Sequence, residues 1–239
     1  MTDRYTGGDY LAQNPEWHEG DAPWKARKTC EALQRHGLHP KTIVEVGCGT
    51  GLILSSLQSR LGPEVRLAGF DISPQAIERA SGRQNERLKY QCADFFQATE
   101  TYDLLMAMDV FEHVDDYFAF LRKLRGRARN HVFHIPLELS SYTLYRHRSL
   151  LQTRARVGHL HFFWKDLALE SLRDCGYRVL SCTYTSPPTE PQPDLHVPPV
   201  KSREASLVNA ISKLVYRVDP DAAIRWFGGS SILVVAEPA

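Results

Sequence analysis

Residues 44–51 read Val44-Glu45-Val46-Gly47-Cys48-Gly49-Thr50-Gly51. The short β-branched, apolar run Thr42 to Val46 stops at this glycine cluster, and Leu52 to Leu61 follows with apolar residues at helical spacing. Strand, glycine turn and helix in that order make a ligand cradle. Glycines carry no Cβ to hold a ligand off the backbone, and the first turn of a helix offers unpaired N–H groups. Dinucleotide sites use the spacing G-x-G-x-x-G. Here the third glycine, Gly51, comes one residue early, and Leu52 stands where that pattern needs glycine. Glu45 lies two residues before the first glycine. A carboxylate at a strand end suits an ammonium group, met directly or through water, and sits badly beside a pyrophosphate.

Outward from this turn, strand and helix signals alternate. Arg66 to Ile72, Leu88 to Cys92, Tyr102 to Val110, Asn130 to Ile135, Tyr177 to Thr185 and Ser230 to Ala236 read as strands. Tyr102 to Val110 is almost wholly apolar, as a strand covered on both faces should be. Pro74 to Ala80 reads as a helix with Ser73 as its cap, Asp116 to Leu124 as another, and Lys165 to Cys175 as a third that ends at Gly176. Pro136 is expected to stop the fifth strand. Ser186 to Ser202 holds six prolines and reads as a stiff loop, followed by a helix from Ala205 to Val218. Strands alternating with helices predict an α/β fold with a mostly parallel sheet and helices on both faces.

Composition agrees. The 239 residues are 43% hydrophobic and 24% charged, enough for a full core, and the net charge is +1. That balance argues against attachment to nucleic acid by bulk charge. Met1 to Tyr10 is polar, and no apolar run approaches the ~20 residues that span a bilayer, so neither a leader nor a membrane span is expected. The five cysteines, Cys30, Cys48, Cys92, Cys175 and Cys182, form no C-x-x-C pair, which suits free thiols in a reducing cytoplasm.

Four motifs in register resemble the class I S-adenosylmethionine-dependent methyltransferases, and are most similar to the small-molecule subgroup that includes the ubiquinone-biosynthesis enzymes. They are Glu45-Val46-Gly47-Cys48-Gly49-Thr50-Gly51, Gly69-Phe70-Asp71-Ile72-Ser73, Cys92-Ala93-Asp94-Phe95, and Asp109-Val110-Phe111-Glu112-His113-Val114. The resemblance covers roughly residues 40 to 185, with Ser230 to Ala236 matching an antiparallel last strand. It implies a Rossmann-like seven-stranded sheet and S-adenosyl-L-methionine as cofactor, released as S-adenosyl-L-homocysteine. The implied cofactor residues are Glu45, Gly47, Cys48, Gly49, Gly51, Asp71, Ile72, Asp94, Phe95, Asp109 and Val110. Among them Asp71 would receive the ribose hydroxyls, Asp94 the adenine amino group, and the residue beside Asp94 would pack on the ring. The expected organisation is one domain over residues 1–239. It comprises a helical lid (1–40), a cofactor-binding core (41–185), a Pro-rich loop and helix insertion (186–229) and the last strand (230–239).

An α/β sheet of this kind receives substrates at the carboxyl ends of its strands. His113, after the fourth strand, and His159 and His161, in Gly158-His159-Leu160-His161-Phe162-Phe163-Trp164, are therefore the candidate bases for an O–H acceptor. If extended, His159 and His161 share one face. No neighbouring acid or cysteine completes a metal site in the sequence, so no metal is expected. His131 and His134 fall on opposite faces of a strand, and His134 reads as a satisfied core histidine. Glu138 ends strand five and can point into the pocket, and Trp24 with Lys25, Tyr5, Tyr10, Trp17 and His18 offers an aromatic lid. Arg146, with His147, Arg148, Arg154 and Arg156, lies near the expected mouth and suits an anionic small molecule. The implied reaction is methyl transfer to a small-molecule acceptor, at oxygen. A nicotinamide-dependent oxidoreductase and a cofactor-binding protein without methyl transfer are the alternatives.

Overall fold

The structure, a computed structural model, describes residues 7, 19–146, 148–185 and 203–239. In chain order the elements are α1 (Ala22–Arg35), β1 (Thr42–Val46), α2 (Leu52–Gln58), β2 (Arg66–Asp71), α3 (Pro74–Ser81), β3 (Leu88–Cys92), β4 (Tyr102–Met108) and α4 (Tyr117–Arg125). Then come β5 (Ala128–Leu137), α5 (Ser141–Tyr145), α6 (Arg148–Val157), α7 (Lys165–Asp174), β6 (Tyr177–Tyr184), α8 (Arg203–Val218), α9 (Pro220–Phe227) and β7 (Ser230–Pro238). The seven strands form one sheet in the order β3-β2-β1-β4-β5-β7-β6. β1 to β5 pair in parallel, and β7 inserts antiparallel between β5 and β6.

The chain starts at the middle of the sheet, winds outward through β2 and β3, then returns to the other side of β1 for β4. The β1–β4 seam is the switch point of the winding, the place where an open α/β sheet leaves a crevice at its carboxyl edge. Alternation along the central strands fills both faces. Ile43, Leu104 and Met106 join Leu54, Leu57 and Leu33 on the α1–α2 side, while Val44, Leu105 and Ala107 join Phe111, Phe133 and Leu172 on the other. All are essentially inaccessible. This is why the fourth strand reads as an unbroken apolar run.

Most boundaries fall within a residue or two of those read from the sequence. The Ser73 cap holds, its side chain accepting from the Ala76 N–H with Pro74 at the first helical position. Pro136 does not stop β5. The strand runs on to Leu137, with Pro136 opposite Ser231 of β7. Pairing with β4 has already ended at His134, so on that side the missing proline N–H leaves no ladder bond unmade. Helices α5, α6 and α9 were not expected, although α9 is amphipathic and starts with the Asp219 cap and Pro220 at its first turn. The segment read as a Pro-rich loop, residues 186–202, lies outside the described residues, as do Tyr5, Tyr10, Trp17, His18 and His147. All five cysteines are unpaired thiols. Among the described residues no helix is long and apolar enough to cross a membrane.

Phe133 is fully buried at the centre of this packing, edge-on to Phe111 and Tyr177 at 6.3 and 5.3 Å. Phe133→Ala is expected to cost about 3–5 kcal/mol through lost burial and the cavity left behind. Denaturant unfolding checks this, and a loss under ~1 kcal/mol would mean that the core collapses around the gap.

Candidate active site

The glycine turn after β1 is bent back over the sheet edge and held there by its own backbone. Gly47 and Cys48 both donate N–H bonds to the Phe70 carbonyl, at 2.8 and 3.0 Å. Gly47 and Gly51 have φ of +72° and +75°, and neither has room for a side chain. A Cβ on Gly47 would stand 2.7 Å from a Val110 methyl, and one on Gly51 2.3 Å from the Tyr90 ring. The turns after β1 and β4 thus touch, and the Tyr90 hydroxyl donates to the Gly51 carbonyl at 2.6 Å.

Asp71, at the end of β2, ties this loop to the next one. One carboxylate oxygen accepts from the Gly49 N–H and the other from the Ser73 N–H, both at 2.8 Å. Burial raises its carboxyl above the ordinary value, against the pull of those N–H groups. Ile72 beside it leaves 40% of its surface exposed, an apolar face at the crevice. Asp94 caps the short turn Phe95–Gln97 through the Phe96 N–H at 3.0 Å. Phe95 departs from expectation. Its ring is buried in the core against Phe70 at 5.2 Å, so it is spent on packing and offers no face to a ligand.

Glu45 is buried at the β1 end, and its Oε2 accepts no hydrogen bond from the described residues. Burial pushes its carboxyl up to about 8, with Lys25 opposing and Asp71 and Asp109 adding to the rise. Sequence reasoning gave Lys25 no role beyond the lid. Its ammonium is buried between Asp21 at 2.8 Å and Asp109 at 2.6 Å. Burial pulls the ammonium down, but the two carboxylates outweigh it and hold the group above its usual value. The available signal was the Asp21–Lys25 spacing of one helical turn at the start of α1.

Asp109 is the hub of this edge. It takes φ of +56°, the left-handed region that glycine usually occupies. Its second oxygen meets His134 Nδ1 at 2.6 Å, and His134 Nε2 meets the Thr185 hydroxyl at 2.9 Å. Burial alone would raise the Asp109 carboxyl; His134 and Lys25 overcome it and hold the acid well below the usual range. Its carboxylate is therefore occupied by protein partners, and His134 is the satisfied core histidine expected. Trp24 packs edge-on to the His134 ring at 6.1 Å, which places one lid aromatic at the crevice. His131, on the opposite face, bonds the Leu124 carbonyl and is kept neutral, its burial lowering it to about 4.

Past Asp109 the chain makes a short turn, Phe111–His113. Phe111 is buried among Tyr117, Phe133 and Phe163 and anchors it. Segment 158–161 is stitched onto this turn: the Leu160 and His161 N–H groups both donate to the Glu112 carbonyl, at 2.8 and 3.2 Å. His113 and His159 come together as a result, ring centroids 4.6 Å apart. His159 Nδ1 lies 2.5 Å from Glu138 Oε2, and the Thr143 hydroxyl fixes the Glu138 carbonyl at 2.7 Å. Glu112 sits beneath with no exposed surface, and neither of its carboxylate oxygens has a hydrogen-bond partner among the described residues. Burial pushes its carboxyl well above the ordinary value, and Asp109 and Glu138 add to this.

Two sequence expectations change here. His161 is turned away from its assigned role: its Nε2 bonds the Val114 and Asp115 carbonyls at 2.9 and 3.3 Å, so it donates there and fastens the segment. The premise that no acid joins His159 also fails, because the fold brings Glu112 and His113 to it from 47 and 46 residues away. Arg146 lies exposed at the end of α5, over the Tyr142 ring at 5.8 Å. A hollow lined by His39, Lys41, Asp103 and Arg129 lies at the opposite, amino edge of the sheet, away from these residues.

Residues 44–131 match the family model of a methyltransferase domain. Over these residues the chain is similar to methyltransferase domains. Curated relatives match over stretches of similar length. A malonyl-[acyl-carrier protein] O-methyltransferase of Anoxybacillus flavithermus is 36% identical over 90 residues, 36% of this chain and 34% of the relative. A ubiquinone biosynthesis O-methyltransferase of a Methylobacterium species is 34% identical over 112 residues, 41% of this chain and 44% of the relative. The chain thus spans well under half the length of the curated relatives it matches. The magnesium protoporphyrin IX methyltransferase of Synechocystis, solved with S-adenosylhomocysteine bound, has the same fold at a TM-score of 0.60 and 15% identity, over 91% of this chain and 83% of that one.

At this edge the Lys25 ion pair closes α1 onto the sheet. Lys25→Met leaves Asp109 without its cation. The expected loss is toward the lower end of the ~3–5 kcal/mol typical of breaking a buried pair, because Asp109 keeps some access to water. Lys25→Met with Asp109→Asn should recover much of that loss. Denaturant titration of the three variants decides, and equal losses for single and double variants would rule the pair out as the cause.

Proposed function

We propose that this protein transfers the methyl group of S-adenosyl-L-methionine to the oxygen of a small-molecule acceptor, leaving S-adenosyl-L-homocysteine. Glu45 carries the reading. A buried carboxyl with an open oxygen, under a glycine turn at the sheet's switch point, fits the ammonium end of an amino acid once ionised, and in that form would repel a pyrophosphate. That observation also disfavours the nicotinamide alternative. The oxygen acceptor is supported by the names of both relatives, each an O-methyltransferase.

The bound cofactor supplies a methyl group on a sulfonium, poised for in-line displacement. The chain's part is to hold and orient. Glu45 takes the ammonium. Asp71 keeps lone pairs beyond those given to Gly49 and Ser73, and offers them to the ribose diol. Ile72 supplies the apolar face for the adenine, the role first expected of Phe95. Trp24, on α1, keeps water from the reacting centre. The acceptor's hydroxyl meets the cluster of Glu112, His113 and His159, where Glu138 holds the His159 ring through its Nδ1. Arg146 at the rim suits an anionic acceptor. Correct placement accounts for most of the acceleration.

The Glu45 reading makes a pH prediction. Its carboxyl, raised to about 8, is protonated at pH 7 in the free protein, and taking up an ammonium requires the carboxylate. Glu45 must then release a proton on binding, so affinity should rise with pH, by up to about tenfold per unit, and level off above about 8. Glu45→Gln should flatten that rise. Calorimetric titration with S-adenosylmethionine at pH 6 to 8, in buffers of different ionisation enthalpy, checks it; equal affinity at both ends and no proton release would refute the assignment.

Turnover tests the reaction itself. A screen of extracted hydroxylated metabolites with labelled cofactor should give a methylated product. With that acceptor, His159→Ala should lower turnover by about 10²–10⁴-fold and leave cofactor affinity within a few-fold. Tight cofactor binding with no product from any acceptor would favour a binding protein without methyl transfer.

A further inference from the structure

We propose that the exposed apolar stripe of α8 is the surface through which two copies of this chain pair, antiparallel about a two-fold axis. The stripe is Leu207, Ile211, Leu214 and Val218, left 62%, 42%, 64% and 84% exposed. Their spacing of four, three and four residues keeps them within about 60° of one another around the helix. It is the longest run of exposed large apolar side chains at helical spacing among the described residues. The other face seats the helix on the body of the protein. Ser212 is buried, Val208, Val215 and Tyr216 are half-buried, and the Tyr216 ring meets Tyr184 of β6 edge-on at 6.2 Å. Helix α9 packs against α8 and is pinned in turn, its Asp221 taking Lys165 Nζ at 2.6 Å and the Tyr184 hydroxyl at 2.5 Å. The stripe is thus held in a fixed place on the surface.

The spacing names the kind of partner. A lipid surface asks only for an apolar face bordered by cations. A repeat of four, three and four is what a second helix asks for, because it lines up knobs with the holes of the facing helix. Another copy supplies that helix. The stripe reads Leu, Ile, Leu, Val from one end and Val, Leu, Ile, Leu from the other, so a two-fold axis through its middle lays it on itself. Leu207 then meets the partner subunit's Val218, and Ile211 meets the partner subunit's Leu214, each against an aliphatic side chain of similar size. Antiparallel pairing sets the N-terminal end of each helix beside the C-terminal end of the other, which suits both dipoles. Arg217 falls next to the partner subunit's Ala210, a neighbour without charge. The formal charge of +1 puts no strong long-range repulsion between copies.

Magnitudes set the strength of the contact. The four residues open about 400 Å² per copy, within the range where an exposed apolar patch marks an interaction. Pairing buries roughly 800 Å² from the two stripes and about 1,000 Å² with the stems of Lys213 and Arg217, the lower end for a specific contact. A reversible dimer with a Kd in the micromolar range follows. The fold fixes where it forms. Strands β5 and β6 both pair antiparallel with β7, so they run parallel to each other and β6 ends at the carboxyl edge. Tyr216 of α8 rests against Tyr184, the last residue of β6, so the copies meet at that end of the sheet. The crevice lies at the β1–β4 seam, three strands away in the sheet order. Pairing therefore needs neither cofactor nor acceptor.

Sedimentation equilibrium of the full chain from about 1 to 100 µM should show a reversible shift from the mass of one chain toward that of two. Leu214→Glu sets two carboxylates against the apolar centre of the pair and should weaken association at least tenfold. Leu151→Glu removes an exposed leucine of α6 outside the stripe and should leave association within a few-fold of wild type. Thermal unfolding at the lowest concentration should agree for all three, because both substituted side chains are exposed in the single copy. Chains carrying Ile211→Cys, mixed with chains carrying Leu214→Cys, should form a disulfide-linked dimer in oxidised glutathione faster than either kind alone. Fastest linking of Ile211→Cys chains to each other marks a parallel pair and overturns the arrangement. The mass of one chain at every concentration overturns the proposal, as does equal association of wild type and Leu214→Glu. So does binding to anionic phospholipid vesicles that Leu214→Glu abolishes, found without self-association, since the stripe then faces lipid.

Discussion

The Asp109 carboxylate holds the carboxyl edge of this sheet together. It bonds Lys25 of α1 with one oxygen and His134 of β5 with the other, while its own backbone takes a conformation that costs an L-residue about 1–2 kcal/mol. That conformation turns the chain sharply after β4. It sets Val110 against Gly47 and sends Phe111 into the core, which fixes where Glu112 and His113 stand. Through His134 the same acid reaches Thr185, beyond the end of β6. Three segments far apart in sequence are thereby registered on one strand end, and the two halves of the crevice meet there.

Such a hub explains why the glycine turn needs so little else. Gly47 and Cys48 are held by the Phe70 carbonyl and Gly49 by Asp71, all from β2. The β1–β2 side carries the cofactor motifs, and the β4–β5 side carries the polar cluster. Asp109 lies on the seam between them.

The cofactor half of the site was legible in the sequence because its signals are local. A strand, a glycine turn with a preceding acid, and acids at the ends of the next strands are each contained in a few residues. The mostly parallel sheet followed from the alternation of strands and helices. What could not be read was whatever depends on long-range packing. Nothing in Asp94-Phe95 says which side chain turns inward, and the core took Phe95 because Phe70 and Tyr102 leave an aromatic-sized gap. His159 and His161 look equivalent in sequence. The stitching of residues 160 and 161 to the Glu112 carbonyl sends one imidazole to Glu138 and the other to the backbone at Val114. Lys25 reads as a helix-surface lysine until the fold sets Asp109 beside it.

The acids of this edge fall into two kinds, and the difference bears on catalysis. Asp109 has its charge answered by Lys25 and His134 and is ionised in the folded protein. Glu45 and Glu112 are buried with open oxygens, and burial raises both carboxyls; Glu45, at about 8, is protonated at neutral pH until a cation arrives. Methyl transfer from a sulfonium dissipates positive charge as it proceeds. Unpaired carboxylates around the reacting centre would stabilise the reactants more than the transition state, which raises the barrier. Here Asp109 is already paired and Glu45 is neutral when empty. Glu45 becomes charged only against an ammonium that keeps its charge throughout the reaction, so its contribution is spent on binding and leaves the barrier untouched. The burial that makes these acids costly to the fold is thus what keeps their charge away from the sulfonium.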